Sequence, residues 1–155
     1  MAVYNATTAA ALTGTILGTR VDRATAALPQ TAAAAIFTVT GGRVAIMAIL
    51  GEVTTAIQNQ ANNTKLVGNP TVGSDVDLCA VLNIAADEVG CLYGITGTVS
   101  DALVGANAGY APLPDRPLVV AAGTIDLNCA ASNTGSVKWS IWYVPLDDGA
   151  VVTAA

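Results

Sequence analysis

The stretch that decides the fold is residues 124–146, TIDLNCAASNTGSVKWSIWYVPL. Apolar residues occupy every second position on both sides of Asn133-Thr134-Gly135: Ile125, Leu127 and Cys129 before it, and Val137, Trp139, Ile141 and Tyr143 after it. This period of two is typical of β-strands with one buried face. A three-residue hairpin loop with Gly135 in the left-handed region sets Cys129 opposite Trp139, Leu127 opposite Ile141 and Ile125 opposite Tyr143. The turn and the hydrophobic pattern thus predict an antiparallel hairpin in one register.

Further strands are predicted from residue 35 onward, where short apolar runs lie between turn residues. They are 36–40, 43–60 (one strand, or two joined at Gly51), 64–68, 76–84, 91–99 and 117–123. A helix over 51–60 is an alternative, because EVTTAIQNQ carries mixed signals. Residues 101–115 are predicted to form a loop and 147–155 a short tail. About eight strands predict an all-β fold. We expect an antiparallel β-sandwich, for which the jelly roll is one strand connectivity, and a β-barrel is the alternative.

The chain length of 155 residues suits a single domain. Residues 1–30 are rich in Ala and Thr and lack an amphipathic period, which predicts an extended N-terminal arm that orders against a partner. A short capped helix over 5–11 is the alternative for the start of this segment. Residues 31–155 are predicted to form the β-sandwich domain.

Charged residues make up 11% of the chain, less than half the usual proportion. The surface must therefore consist largely of Thr, Ser, Asn, Gly and Ala, which indicates contact with neighbouring subunits and predicts a homo-oligomer, a trimer or a dimer. The six basic residues are scattered along the sequence and the net charge is −5, so a nucleic-acid partner is not expected. Because Ile36 to Gly51 is interrupted by Thr, Gly and Arg, and no secretory signal is recognised, a membrane partner is not expected either.

Reactive groups are sparse. The chain has no histidine, which removes the commonest general base and the usual nucleophile pairs. The three cysteines (Cys79, Cys91 and Cys129) are odd in number and lack a CxxC motif, so we expect buried thiols in a reducing compartment, with a Cys79–Cys91 disulfide as the minority alternative. The acidic pairs Asp75/Asp77, Asp87/Glu88 and Asp147/Asp148 are predicted to be solvated turn residues. A hydrolase that uses one of these carboxylate pairs and a Ca²⁺ site are the alternative interpretations of these residues. Our prediction is that the protein has no enzyme activity, metal or cofactor.

Partner-binding residues are predicted from the two tryptophans and the sparse cations. Trp139 and Trp142 are three positions apart on one strand and therefore point to opposite faces. Trp139 is assigned to the core, and Trp142 shares the other predicted face with Asp126, Lys138 and Ser140. The candidate partner-binding residues are Trp142, Lys138, Arg20 and Arg23. Partner contact is favoured over sugar stacking, because no cluster of acids, amides and further aromatics accompanies Trp142.

Two segments, 28–84 and 122–152, resemble small virion-associated proteins encoded among the head genes of tailed bacteriophages. FTVTGGRV (37–44), LGEVTTAIQ (50–58) and GTIDLNCAASNTGSVKW (123–139) carry the likeness. The resemblance implies a capsid decoration (cement) protein, made in the host bacterial cytoplasm and located on the capsid surface, whose partners are the major capsid protein and its own copies. A tail or head-fibre component acting as a glycan-binding module is the alternative. No functional residue is assigned from this resemblance, because it includes no defined site motif.

Overall fold

The chain forms eleven strands in the residues that the computed structural model describes, 16–105 and 107–155. They are β1 (Thr19–Ala27), β2 (Ala33–Thr40), β3 (Val44–Thr55), β4 (Asn63–Pro70), β5 (Val76–Asp77), β6 (Leu82–Asn83), β7 (Leu92–Tyr93), β8 (Leu118–Val120), β9 (Gly123–Cys129), β10 (Ser136–Pro145) and β11 (Val151–Ala154). The fold is therefore all-β, as the alternating pattern predicts.

The strands form two antiparallel sheets that pack face to face. The first has the order β1-β10-β3-β7, with β8 also on β3, and the second has the order β11-β2-β9-β4-β5, with β6 also on β4. The pairings are nested along the chain: β1 with β10, β2 with β9, β3 with β7 and β8, and β4 with β5 and β6. This nesting over two sheets is the wiring of a jelly roll, so the predicted β-sandwich is confirmed.

The core lies between the sheets and is filled by the inward residues of the long central strands. On β10, Val137, Trp139, Ile141 and Tyr143 are buried. On β9, Ile125, Leu127 and Cys129 are buried as well, and all seven side chains belong to one cluster. The face assignments made from the period of two in 124–146 are therefore correct, including the placement of Trp139 in the core.

The predicted hairpin pairing is wrong, because β9 and β10 lie in different sheets. Cys129 is opposite Thr64 on β4 rather than Trp139, and Trp139 is opposite Gly51 on β3. Residues 130–135 therefore form an arch between the two sheets, which stand about 10 Å apart. An alternating pattern indicates only which side of a strand is buried. It is the same whether the next strand pairs in the same sheet, as in a hairpin, or lies in the opposite sheet, as in an arch, so the pattern does not distinguish the two.

Two of the long strands predicted in the middle of the chain are mostly irregular. Residues 76–84 contain only the two short strands β5 and β6, and Val76, which one continuous strand would place on the same face as the buried Leu78, is exposed. Residues 91–99 keep only β7, and Val99 is exposed, although Cys91, Tyr93 and Ile95 are buried. Neither the helix alternative over 51–60 nor a strand over its full length forms, since β3 ends at Thr55.

Both ends of the described chain join the sandwich. Within the segment predicted as an arm, residues 1–15 lie outside the described residues, whereas β1 is extended as predicted and pairs with β10. The predicted short tail is wrong for 151–154, because β11 pairs with β2 from Val151 opposite Thr40 to Ala154 opposite Phe37. The turn at Asp147–Gly149 brings the chain back to the edge of the second sheet rather than ending its pairing.

Candidate partner-binding surface

The pairing of β1 with β10 brings together residues that are far apart in the sequence. Arg20 lies opposite Trp142, and Asp22 lies opposite Ser140. Directly opposed residues point to the same side of a sheet, and the inward side of β10 carries Trp139 and its neighbours. These residues therefore lie on the outer side, and we call the outer surface of the first sheet around Trp142 the β10 face.

Side-chain contacts order the charged part of the β10 face. The guanidinium of Arg20 lies 5.1 Å from the ring centroid of Trp142, within the range of a cation–π contact. Arg20 Nε donates to Asp22 Oδ1 at 2.8 Å, and Ser140 Oγ donates to the same oxygen at 2.6 Å. The bond from Ser140, assisted by that from Arg20, holds the pKa of the Asp22 carboxyl below its ordinary value. Trp142 is half-buried as a result of this packing.

Lys138, the third predicted residue on the face, is also paired with a carboxylate. It lies opposite Glu52 on β3, and its Nζ is 2.9 Å from Glu52 Oε2. The cations of the face thus alternate with anions, Arg20 with Asp22 and Lys138 with Glu52. Such an arrangement differs from the uninterrupted positive surface that phosphate backbones require.

The face becomes apolar toward the end of β10. Val144 lies opposite Ala45 on β3, and Ala45 lies opposite Val119 on β8. Val144 is 37% exposed and Val119 is 59% exposed. The β10 face therefore offers a row of aliphatic side chains beside a half-buried tryptophan and a set of ordered charges.

Arg23 is only partly associated with the β10 face. It lies opposite Trp139, and its Nε donates to the backbone oxygen of Ala155 at 3.1 Å. It nevertheless lines a shallow depression together with Arg20, Asp22 and Lys138. The structure thus brings three of the four predicted residues onto one face, whereas Arg23 lies on the inner side of β1, near Ile36 and Trp139.

Asp126 does not belong to this face, contrary to the prediction. It lies on β9 in the second sheet, where it is opposite Val67 and is only 7% exposed. Asn69 Nδ2 donates to its Oδ2 at 3.2 Å. The error follows from the hairpin pairing, because an arch puts the outward residues of β9 and β10 on opposite sides of the molecule.

A buried polar cluster was missed by the sequence analysis. Asp87, predicted to be solvated, is 3% exposed, and Tyr93 Oη donates to its Oδ2 at 2.6 Å. Burial raises the pKa of the Asp87 carboxyl, the Cys91 thiol and the Tyr93 phenol. All three side chains lie in the core cluster or pack against it. Their contacts attach the loop 84–91 to β7, and none of the three groups is an exposed nucleophile. No spacing in the sequence distinguishes Asp87 from a turn aspartate.

Two of the other acidic turn residues, Asp77 and Asp147, are accessible and paired with cations. Asp77 Oδ2 is 2.7 Å from Lys65 Nζ, and Asp147 accepts bonds from Arg43, whose guanidinium holds the pKa of that carboxyl well below its usual range. All three cysteines are free and buried, as predicted. In 16–105 and 107–155, no group of three or more Cys, Asp or Glu side chains is arranged to hold a metal ion.

Comparisons with known proteins identify no relative. The chain matches no family model, and neither the curated proteins nor the solved structures contain a match. Among the described residues, no helix has the length and apolar character needed to cross a membrane. The β10 face must therefore be interpreted from its own chemistry.

Proposed function

We propose that this protein is a capsid decoration (cement) protein of a tailed bacteriophage, which binds the outer surface of the head through its β10 face and stabilises the shell. The observation that carries the proposal is the convergence of Trp142, Arg20 and Lys138 on one outer sheet surface. The resemblance of 28–84 and 122–152 to head-gene products supplies the identity of the partner, the major capsid protein. The fold is compatible with this role, since jelly rolls occur in viral capsid proteins, although a fold alone does not decide function.

The composition of the β10 face suits protein contact. Tryptophan and arginine are the residues most enriched among those that dominate binding energy. Arg20 holds the indole of Trp142 in place before any partner arrives, which lowers the conformational entropy lost on binding. The exposed side chains of Val144 and Val119 add apolar area that a partner would cover.

The charge pairs on the same face support orientation of the partner more than affinity. Lys138 and Glu52 have side chains 49% and 41% exposed, so their attraction is screened by solvent. Exposed charges at the rim of an interface mainly guide association and select the partner. A shell surface with complementary carboxylates and cations would thus bind in one orientation.

Stabilisation of the shell follows from linkage. A protein that binds the assembled shell but not its separate subunits shifts the equilibrium toward the assembled state. Copies on neighbouring lattice positions reinforce one another when they also contact each other, because the second contact is then effectively intramolecular. This mechanism needs no catalytic group, so we propose that the protein is not an enzyme and acts as part of the virion.

Glycan binding by a tail or fibre module receives less support from the same surface. A sugar ring stacks on an open aromatic face, whereas the guanidinium of Arg20 lies over the ring of Trp142. A carbohydrate would have to displace this cation and break its bond to Asp22. Lectins also have jelly-roll folds, so the preference for a decoration protein over a glycan-binding module rests on this side-chain geometry and not on the fold.

The experiment is co-sedimentation with phage heads assembled without this protein. We expect saturable binding of the wild-type chain and a loss of affinity of about 30-fold for Trp142→Ala, the effect of a residue worth about 2 kcal/mol at an interface. Lys138→Ala should weaken binding, whereas Lys65→Ala should not. Lys65 is the matched control, because it is also ion-paired with a carboxylate but lies on the second sheet.

Each result bears on a different part of the proposal. Wild-type protein that stays in the supernatant at every concentration overturns the decoration function. Binding that is retained in Trp142→Ala and Lys138→Ala but lost in Lys65→Ala overturns the choice of face. Circular dichroism of each variant shows whether the sandwich is intact.

A further inference from the structure

Strand β1 has one edge without a strand partner in the described part of the chain. It is the terminal strand of the first sheet and pairs only with β10. An unpaired edge presents backbone N–H and C=O groups that can pair with another chain. Arg20 and Asp22, on the outer side of this strand, have side chains 56% and 58% exposed.

We propose that the edge of β1 pairs with the edge of β1 in a second copy of this chain, antiparallel and about a twofold axis at Val21. In this register Arg20 lies opposite Asp22 of the partner subunit, and Asp22 lies opposite Arg20 of the partner subunit. Val21 meets Val21 of the partner subunit on the inner side. The inference concerns self-association and does not rest on the proposed function.

The charges along β1 select this register. An antiparallel pair with twofold symmetry sets one residue opposite its own copy. Centring the pair on Arg20 or Arg23 opposes two guanidiniums, and centring it on Asp22 opposes two carboxylates, each of which is destabilising. Centring it on Val21 creates two pairs of opposite charge and no pair of like charge.

The side chains have the capacity to make these contacts. Within the described residues, Arg20 uses only its Nε in a hydrogen bond, and both bonds to Asp22 go to Oδ1. The terminal amino groups of Arg20 and the Oδ2 of Asp22 are therefore able to bond across the twofold axis. Val21 is half-buried against the core cluster, and its copy would cover its remaining exposed surface.

The backbone limits the contact to one short segment. An extra residue between Arg23 and Ala26 makes a bulge, because these residues lie opposite Trp139 and Val137. Bulges increase the local twist and interrupt pairing along an edge. The straight part is 19–23, which the Val21-centred register uses completely, since Thr19 then lies opposite Arg23 of the partner subunit.

Sedimentation velocity with charge variants tests the proposal. We expect a wild-type dimer, and monomers for Arg20→Asp and for Asp22→Arg, because each variant opposes like charges at both sites. An equimolar mixture of the two variants should form a heterodimer, since every opposed pair then has opposite signs. Arg116→Asp and Asp75→Arg make the same changes of charge on exposed loops and should leave the dimer intact. A wild-type monomer or trimer, or a mixture of variants that stays monomeric, overturns the proposal.

A thiol introduced at the centre of the contact gives a second test that leaves all charges unchanged. Val21→Cys should form a disulfide-linked dimer on mild oxidation, because opposed residues of an antiparallel pair have Cα atoms within the range that a disulfide spans. Thr25→Cys, in the bulge, should not. The three natural cysteines are buried and leave the background low. Equal crosslinking of the two variants, or none in Val21→Cys, overturns the register.

Discussion

Trp139 and Tyr93 meet over Gly51, the residue that lies opposite both of them on β3. The two rings have centroids 6.4 Å apart and planes 27° apart. A methyl group on Gly51 would lie 2.8 Å from Cη2 of Trp139, closer than real contacts of this kind. The glycine in the middle of the longest strand is thus explained by the space that the ring of Trp139 occupies above it.

Gly51→Ala should therefore destabilise the protein by about 1–3 kcal/mol, the usual effect of overpacking in a core. The φ of Gly51 is one that other residues adopt, so the effect is steric rather than conformational. Gly68→Ala on β4 is the matched control, because the nearest atom to the added methyl group, Cδ2 of Leu78, is 3.5 Å away. Urea unfolding of both variants measures the difference, and equal effects would contradict the steric explanation.

The arch between the sheets depends on Asn62, which is fully buried. Its Oδ1 accepts from the backbone N–H of Ala131 and its Nδ2 donates to the backbone oxygen of Ala131, both at 3.1 Å. Asn62→Ala leaves two backbone groups without these partners and should cost about 1–3 kcal/mol. Asn63→Ala, at the exposed neighbouring position, should change the free energy of unfolding by no more than about 0.5 kcal/mol. Similar losses in the two variants would show that Asn62 does not hold the arch.

How far the fold could be predicted from sequence depends on what each pattern encodes. Asp126 is buried although it lies on the outward side of β9, but the period of two in 124–146 correctly predicts which apolar side chains face the core. It does not record which strand is adjacent, and the bonds from Asn62 to Ala131 that favour an arch join positions 69 apart in the sequence. Short irregular segments such as 76–84 have apolar residues that reach the core without a regular ladder, so a strand of full length was predicted in error.

The candidate surface was predicted in part for the same reason. The outward position of Trp142 and Lys138 follows from their alternation with Trp139. The packing of Arg20 on Trp142 could not be inferred, because it requires the pairing of β1 with β10 across more than a hundred residues. Asp87 was assigned to solvent, since a turn aspartate and a buried one have the same local sequence.

The stability of the protein should depend on pH through Asp87. Burial raises the pKa of this carboxyl above its unfolded value of 3.8, so the folded state binds more protons between the two values. Stability contributed by the protonated form is therefore present at low pH and is lost as the pH rises through the folded pKa. Asp87→Asn keeps an oxygen that accepts from Tyr93 and removes this ionisation. Its free energy of unfolding relative to wild type should thus be more favourable at pH 7 than at pH 3.5.

Urea titrations across this pH range measure the effect as a difference between variant and wild type. Asp22 and Asp147 have lowered pKa values, and the stability they contribute is lost as the pH falls, but this loss is common to both proteins and cancels in the difference. Asp75→Asn, in an exposed turn, controls for the removal of one negative charge. A difference that is independent of pH for Asp87→Asn would contradict the assignment of a buried, ionisable carboxyl.

The contact of Arg20 with Trp142 should be visible in fluorescence, because the chain has only two tryptophans and Trp139 is 2% exposed. Quenching by acrylamide should report mainly Trp142, and Arg20→Ala should increase it by uncovering the indole. The same substitution should cost about 0.5–1 kcal/mol of stability, the value of an exposed cation–π contact. Arg116→Ala is the control for loss of a positive charge at a distance. If Arg20→Ala leaves the quenching unchanged while Trp142→Phe abolishes it, the guanidinium does not cover the indole in solution, and glycan stacking becomes the stronger interpretation of this face.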